Sequence, residues 1–444
     1  MSSKTKKNKY EIDMCSGSIM DKLIAFSLPL MLSGILQLMF NAVDIVVVGK
    51  FSGSEALAAV GSTSALINVF TNLFIGVSLG TNVLAARFYA SGREKEMSET
   101  VHTSLTFALI SGIVMSFVGL FCSRGALELM ATPEDVIGQA ALYMKIYFLG
   151  MPFFMLYNYG AAVLRAVGDT KRPLYFLVVS GILNAGLNMF LVIVFHMGVE
   201  GVAIATVISQ MVSCILVLHC LYHCEGSYQL RFSKLTIKKQ YLKPIFQVGI
   251  PAGIQSTVIN FSNVLLQSSV NSFGSIAMAG YTAANNIFGF LFVAVNSVTQ
   301  ACMSFTSQNF GAGKWKRMDK VLVNCIFLSV TVATLLGGGA YVFGPQLLKI
   351  YTNNPEVIQC GVEILLYTTV TYFLCGLMDL FPGALRGMGY SAVPMILSVI
   401  GTVGTRIIWI FWVFPQHRSL DLLFISYPAS WIATIVMQVR SEEH

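Results

Sequence analysis

Charge is what this sequence has least of. Only 11% of its 444 residues are Asp, Glu, Lys or Arg, against about a quarter in soluble proteins. The deficit is deepest between Pro244 and Gly313, seventy residues without a single Asp, Glu, Lys, Arg or His. So little charge excludes both a soluble globular domain and a disordered chain. Paired cysteines are missing too: the nine present are odd in number, show no CxxC spacing and fall mostly within apolar stretches. That excludes a secreted disulfide scaffold, and they read as small buried side chains. There is no Walker A run, no HExxH and no GxSxG, so an ATP-driven pump, a zinc protease and a serine hydrolase are excluded, and no enzyme is expected. His219-Cys220-Leu-Tyr-His223-Cys224 has i, i+4 spacing but no acidic ligand fixed nearby, so no metal site and no cofactor is expected. The net charge of +7 does not signal nucleic-acid binding, because the basic residues sit in loops beside apolar runs and not on one face.

What the chain does have is apolar length. With 55% hydrophobic residues and a mean hydropathy of +0.71, it reads as an all-α polytopic membrane protein, each crossing needing roughly 20 apolar residues. Charge-free stretches predict twelve helices, at 22–48, 56–86, 98–122, 135–163, 173–195, 200–222, 244–271, 277–307, 318–343, 356–383, 390–414 and 420–440. The basic start is followed by no small-residue cleavage site, so no signal peptide is expected.

Sliding the chain over itself exposes a repeat. Pro29 meets Pro251 at an offset of 222; Gly92 meets Gly313, Leu164-Arg165 meets Leu385-Arg386, Gly168 meets Gly389 and Pro173 meets Pro394 at 221. Six helices per half is an even number, so both halves start on the same membrane face and form parallel repeats enclosing a central cleft. The division is an N-terminal segment 1–21, an N-lobe 22–222, a linker 223–243, a C-lobe 244–440 and a tail 441–444. Twenty-two Lys and Arg, including Lys4, Lys6, Lys7, Arg87, Arg172 and the linker's five, fall on one side against Lys50, Arg124, Lys349 and Arg418 on the other. Both termini and the linker should therefore be cytoplasmic in a cell (inner or plasma) membrane.

An acid inside a span costs several kcal/mol unless it is solvated or neutralised, and it marks function by default. Asp44 is such an acid, in the outer half of the first helix. Gln37 and Asn41 precede it at helical spacing, Asn184 and Asn188 share one face of the fifth helix, and Thr206 and Gln210 share one face of the sixth. Convergence of Gln37, Asn41, Asn184, Asn188 and Thr206 on Asp44 would make a proton or cation pocket; hydrogen bonding between helices is the competing role for each amide. The uncharged C-lobe stretch offers Asn260, Asn263, Gln267 and Asn285 for a substrate cavity, with Arg406 beside them. An ion pair between Arg406 and Asp379 is the structural reading of those two charges. Arg165 and Arg386, at equivalent helix ends, should bond carbonyls left unpaired at helix termini.

The string from Pro29 to Asp44-x-x-x-x-Gly49, the Ala-Arg87-x-x-x-x-Gly92 and Asn309-x-Gly-x-Gly313 ends, the duplicated Leu-Arg-x-x-Gly-x-x-x-x-Pro and Tyr427-Pro-x-Ser-Trp431 together resemble the multidrug and toxic compound extrusion (MATE) family. The resemblance covers about residues 20–440. It implies a monomeric secondary antiporter that exports small amphipathic, cationic compounds in exchange for H+ or Na+ by rocking of its lobes within membrane lipid. Residue by residue, the family's first-helix Asp falls on Asp44, its helix-five Asn on Asn184 and its helix-six Thr on Thr206. Asn188 stands where many proton-coupled relatives carry a second Asp, and Ile259-Asn260 where the NorM-like branch carries a Glu, so the chain looks closer to DinF-like members. Within the same superfamily a flippase for lipid-linked saccharides is the alternative, though it would want a cavity rich in Lys and Arg. A passive receptor or scaffold would not need duplicated lobes.

The orientation can be tested at Ser233 in the linker. A cysteine placed there should react with membrane-impermeant maleimide only after the cytoplasmic side is opened; labelling of intact cells would invert the topology.

Overall fold

A computed structural model of the chain describes residues 9–130 and 132–442. Lys4, Lys6 and Lys7 of the orientation count, and residues 443–444 of the expected tail, lie outside the described residues. Every regular element among those described is helical. In chain order these are α1 (Ile19–Phe51), α2 (Gly53–Ala90), α3 (Glu94–Leu129), α4 (Glu134–Leu149), α5 (Met151–Ala166), α6 (Lys171–Met189), α7 (Val199–His223), α8 (Lys239–Asn271), α9 (Ser275–Gly311), α10 (Trp315–Val342), α11 (Gly344–Leu348), α12 (Pro355–Thr369), α13 (Tyr372–Gly387), α14 (Ala392–Ser398), α15 (Thr405–Ile408) and α16 (Leu420–Glu442).

Among the described residues nine helices are long and apolar enough to cross a membrane, and two bent pairs, α4 with α5 and α12 with α13, add two more. The twelfth long helix is α8, whose 33 residues exceed the roughly 20 a crossing needs but are interrupted by Gln255, Asn260, Asn263 and Gln267. The stretches expected as single helices at 135–163 and 356–383 are each bent, by 46° and 40°. The first bend falls where Gly150 precedes Pro152, and proline can neither donate its i→i−4 bond nor fit the preceding turn. The expected 390–414 helix is likewise irregular, passing through π turns at Val399–Gly404 and Trp409–Val413.

By internal contacts the chain divides into two units. One comprises residues 1–13 and 32–249, the other 14–31 and 250–444. Each has its own apolar core. Phe148, Met155, Tyr159 and Leu164 are buried at the centre of the first, and Tyr372, Phe424, Tyr427 and Trp431 interlock in the second, with Trp431 meeting Tyr372 edge to face at 5.9 Å and Tyr427 at 5.7 Å.

The repeated glycines have one physical cause. Gly168 and Gly389 lie at φ 93° and 97°, Gly92 and Gly313 at 69° and 67°, the left-handed region where side chains are disfavoured. Each ends a helix in the same way: Asp169 N–H bonds Leu164 C=O (2.9 Å), Tyr390 bonds Leu385 (2.9 Å), Arg93 bonds Phe88 (3.1 Å) and Lys314 bonds Asn309 (2.9 Å). These six-to-one bonds are Schellman caps, which satisfy carbonyls orphaned at a helix end. At the first of these turns the buried Asp169 also accepts from the backbone N–H of Arg172 (3.1 Å) and pairs with its side chain. Burial raises the Asp169 carboxyl above the usual carboxylate range, against the pull of Arg172.

A Cβ at Gly92 or Gly313 would meet nothing within 4 Å, whereas one at Gly168 would sit 2.4 Å from the Ile12 carbonyl oxygen. Gly92→Ala and Gly313→Ala should therefore each cost about 1 kcal/mol, the left-handed backbone penalty alone. Gly168→Ala should cost clearly more. Thermal unfolding in detergent reads the order, and three equal shifts would reject it.

Candidate functional site

The candidate cavity belongs to the first unit. α1 reaches it with Gln37, Asn41 and Asp44, spaced four and three residues apart so that they share one helical face. The open volume beside them is about 370 Å³. α6 contributes Ser180, Gly181 and Asn184, and α7 contributes Thr206, Ser209, Gln210 and Ser213. Among the described residues Asp44 is the one carboxylate in the wall, and no Lys, Arg or His lines it.

Asp44 is half-buried and is held from α6: Asn188 Nδ2 donates to its Oδ1. The same amide also donates to Asn184 Oδ1 at 3.3 Å, so two asparagines one turn apart and the carboxylate form a short chain. Asn188 is fully buried and stands behind Asp44, outside the cavity wall. Among the described residues its own Oδ1 has no partner, an orphaned acceptor of a kind that is rare in buried positions. Thr206, placed on the wall as expected, spends its hydroxyl proton on the Val202 carbonyl of its own helix (3.0 Å), leaving the oxygen's lone pairs toward other partners.

Several further residues complete the wall. α2 supplies Asn68, Thr71 and Asn72, α4 supplies Tyr143 and Tyr147, and α5 supplies Phe154, Tyr157 and Asn158. The two α4 tyrosines stack with centroids 6.2 Å apart, and with Phe40 they give the cavity its aromatic surface. Asn68 with Asn72, Asn158 with Phe154, and Tyr143 with Tyr147 all have the four-residue spacing that identified Asn184 with Asn188. That spacing was available to be read, but nothing in one dimension says which of many such pairs face a common space.

Contact between α1 and α6 depends on a glycine. A Cβ on Gly181 would lie 1.8 Å from the ring of Phe40, so the ring occupies the place a side chain would take. Phe40 precedes Asn41, and its seat fixes the rotation of α1 that turns Asp44 toward Asn188.

In the second unit the expected residues are placed differently from the expectation. Arg406 is buried and its Nη1 donates to Ser262 Oγ (2.9 Å) and Asn263 Oδ1 (2.8 Å), its Nε to Ser430 Oγ (3.4 Å). Its guanidinium lies 4.6 Å from the Tyr427 ring centroid. The ion pair expected between Arg406 and Asp379 is absent among the described residues; the cation whose field reaches Asp379 is Arg386. Neutral hydroxyls, an amide and an aromatic face disperse the Arg406 charge, which a buried guanidinium tolerates better than an ammonium. Arg386 donates to Gln255 Oε1 (2.5 Å) and Arg165 lies beside Tyr157. Among the described residues neither bonds a helix-terminal carbonyl, and the Schellman caps already satisfy those groups. Of the amides expected at a substrate cavity, Asn263 holds Arg406, Gln267 bonds Asn271 (2.8 Å), Asn285 borders a small recess with Tyr281 and Tyr427 and Asn260 is exposed. No hydrogen bond links these four to one another.

The family model described as MatE matches residues 29–190 and again 251–412, one match per repeat. The probable multidrug resistance protein YoeA of Bacillus subtilis is 29% identical over 95% of this chain and 92% of its own length. The probable multidrug resistance protein NorM of Thermotoga maritima is 26% identical over 94% and 89%, and the multidrug export protein MepA of Staphylococcus aureus 23% over 84% and 83%. Among solved structures, a MATE in complex with MaD3S superposes with a TM-score of 0.90 at 21% identity, covering 99% of this chain and 98% of that one. The outward-facing conformation of a multidrug resistance MATE family transporter gives 0.89 at 20% over 98% and 97%.

Gly181→Val tests the α1–α6 contact. Displacing Phe40 should cost about 1 to 3 kcal/mol as an overpacked interface does, with activity falling further than thermal stability because Asp44 loses its orientation. A companion Phe40→Ala should restore part of the stability; no recovery would argue that Phe40 is not what fills the gap.

Proposed function

The chain belongs to the MATE family, and from that premise we propose that it is a secondary active antiporter of the cell membrane, exporting small amphipathic cationic compounds in exchange for H+ or Na+. The observation that carries this reading is Asp44: one carboxylate in an otherwise neutral cavity wall, flanked by amides and hydroxyls and faced by tyrosine and phenylalanine rings. Aromatic faces attract organic cations, and a lone carboxylate supplies the compensating charge in a poorly hydrated setting. The names of the relatives, multidrug resistance and multidrug export proteins, support the substrate class.

The same carboxylate provides the coupling. An organic cation and a proton both require Asp44, and they require it in opposite states: ionised for the cation, neutral for the proton. Mutual exclusion at one group makes their binding free energies oppose each other, which is what exchange demands. Asn188 can serve both states. Its Nδ2 donates to the ionised carboxylate, and after a half-turn of the amide its unpartnered Oδ1 would accept from the protonated one. With an amide at 188 in place of a second acid, one proton per cycle follows.

Sodium is the second reading, and the orphaned Asn188 Oδ1 favours it as well, since a carboxylate with neighbouring amide oxygens is a hard-oxygen ligand set. The proposed ion site stays in the first unit, in keeping with the neutral Ile259-Asn260 where NorM-like members carry an acid; this is the DinF-like arrangement. The twelve-helix chain would work as a monomer with both termini cytoplasmic, its six-helix lobes alternating access to the two membrane faces. A flippase for lipid-linked saccharides is disfavoured by a cavity wall without Lys or Arg, which offers a pyrophosphate nothing to bind.

Efflux of ethidium from cells lacking other pumps, under an imposed gradient, tests the assignment. Asp44→Asn should reach the membrane in normal amount yet lose gradient-driven efflux, and Asp44→Glu should keep part of it with a displaced pH optimum. Full efflux by Asp44→Asn would end the mechanism. Dependence on sodium at fixed pH and membrane potential would select sodium over the proton.

A further inference from the structure

Another recess of the first unit lies away from the Asp44 cavity, and no step of the exchange uses it. It has a volume of about 590 Å³ and is walled on one side by the first turns of α3 and on the other by the segment that joins α7 to α8. Four cations line it, Lys95, Arg231, Lys234 and Lys238, against two acids, Glu94 and Glu99. Glu99 is already neutralised by Lys238 Nζ at 2.6 Å. Arg231 has only a neutral partner, Gln229 Oε1, at 3.3 and 3.2 Å. Among the described residues Lys95, Arg231 and Lys234 have no carboxylate partner.

The recess is built, not left over from a loose loop. His102, 2% exposed, accepts the backbone N–H of Arg231 on Nε2 (3.0 Å) while its Nδ1 bonds the Ser98 carbonyl (2.6 Å). Both ring nitrogens are thereby used, in the neutral tautomer with the proton on Nδ1. Seven residues on, the Lys238 N–H donates to the buried Thr103 Oγ1 (3.3 Å). Between these two pins the backbone closes a 3-10 turn at Phe232–Lys234 and projects its cations around the opening.

Position along the membrane normal narrows the ligand. The 36 residues of α3 span about 54 Å and the hydrocarbon core about 30 Å, so its first two turns, which carry Lys95 to His102, extend into the headgroup layer. Beside the cations this segment and the end of α7 expose apolar side chains: Phe232 is 59% exposed, Ile237 39% and, on α7, Tyr222 47%, with the Phe232 and Tyr222 rings 5.7 Å apart. An excess of cations over acids around a recess, next to aromatic and aliphatic groups at the membrane boundary, matches a phosphate anion joined to acyl chains.

We propose that this recess binds a phosphate ester anion, and that its source is the headgroup of an anionic phospholipid of the cytoplasmic leaflet. Arg231, Lys234 and Lys95 hold the phosphate, and Phe232 and Ile237 rest among the acyl chains. The proposal is independent of the substrate and the coupling ion at Asp44.

The test uses the full-length protein in neutral detergent, titrated separately with dihexanoyl phosphatidylglycerol, dihexanoyl phosphatidylcholine and glycerol 1-phosphate while the thermal midpoint is followed. Phosphatidylglycerol should raise the midpoint saturably, and phosphatidylcholine should not. Arg231→Gln/Lys234→Gln should weaken the apparent affinity at least tenfold, Arg231→Lys/Lys234→Arg should restore it, and Lys316→Gln, in the first turn of α10 in the other unit, should leave it unchanged. Retained ethidium efflux and an unchanged lipid-free midpoint would show that the double variant is folded. Saturation by glycerol 1-phosphate at equal affinity would keep the phosphate site but assign it to a soluble ester. No preference for phosphatidylglycerol over phosphatidylcholine, with no response to glycerol 1-phosphate, or an unaltered affinity in the double variant, would overturn the proposal.

Discussion

Hydrocarbon offers no partner to a backbone N–H or C=O, and a chain with this little charge has to satisfy nearly all of its polar groups from within. The helices do so along their lengths, so the informative places are where they stop or bend. At the repeated turns the solution is a left-handed glycine and a six-to-one bond, used at Gly92, Gly168, Gly313 and Gly389. Inside the spans, serine and threonine hydroxyls return to carbonyls three or four residues back, as at Thr71, Ser116 and Thr206. In the interrupted span before α16, Thr402 and Thr434 pair across helices at 3.0 Å, and Gly401 leaves room for that approach, since a Cβ there would meet Thr434 at 2.5 Å.

Charged groups obey the same rule with higher stakes, and the two units meet it in different ways. Asp44 is kept by a single amide and borders an open cavity, which leaves room for the exchange of charge proposed for it. Arg406 is enclosed by Ser262, Asn263, Ser430 and the Tyr427 ring, so its charge is held in place. A guanidinium that cannot lose its proton suits a permanent structural centre; a carboxylate whose ionisation responds to its surroundings suits a transported ion. The two repeats thus share a backbone and divide the electrostatic roles.

Much of the fold could be read in one dimension. Low charge placed the chain in a membrane, and twelve apolar stretches correspond to the long helices, α8 included although its amides make it too polar to be recognised by hydropathy alone. The duplication was visible because both halves need glycine at the same caps. Of the candidate cavity, Gln37, Asn41, Asp44, Asn184 and Thr206 were identifiable from spacing, whereas Asn68, Asn72, Tyr143 and Tyr147 were not. Their pattern is equally good, but helix-packing amides and core tyrosines look the same in a sequence.

The sequence by itself determined what depends on local and compositional physics: the solvent the protein lives in, the number of its membrane-length apolar stretches, the capping turns, the repeat, and the presence of an acid where an acid is costly. The tertiary structure alone decided which groups meet. Asn188 reaches Asp44 across 144 residues, and Arg406 meets Asn263 across 143 in preference to Asp379. Helical periodicity states which residues share a face but not how far that helix is rotated or which neighbour it faces. Those are set by close approaches such as the Phe40 ring over Gly181, a fit of shapes that leaves no periodic trace in the chain.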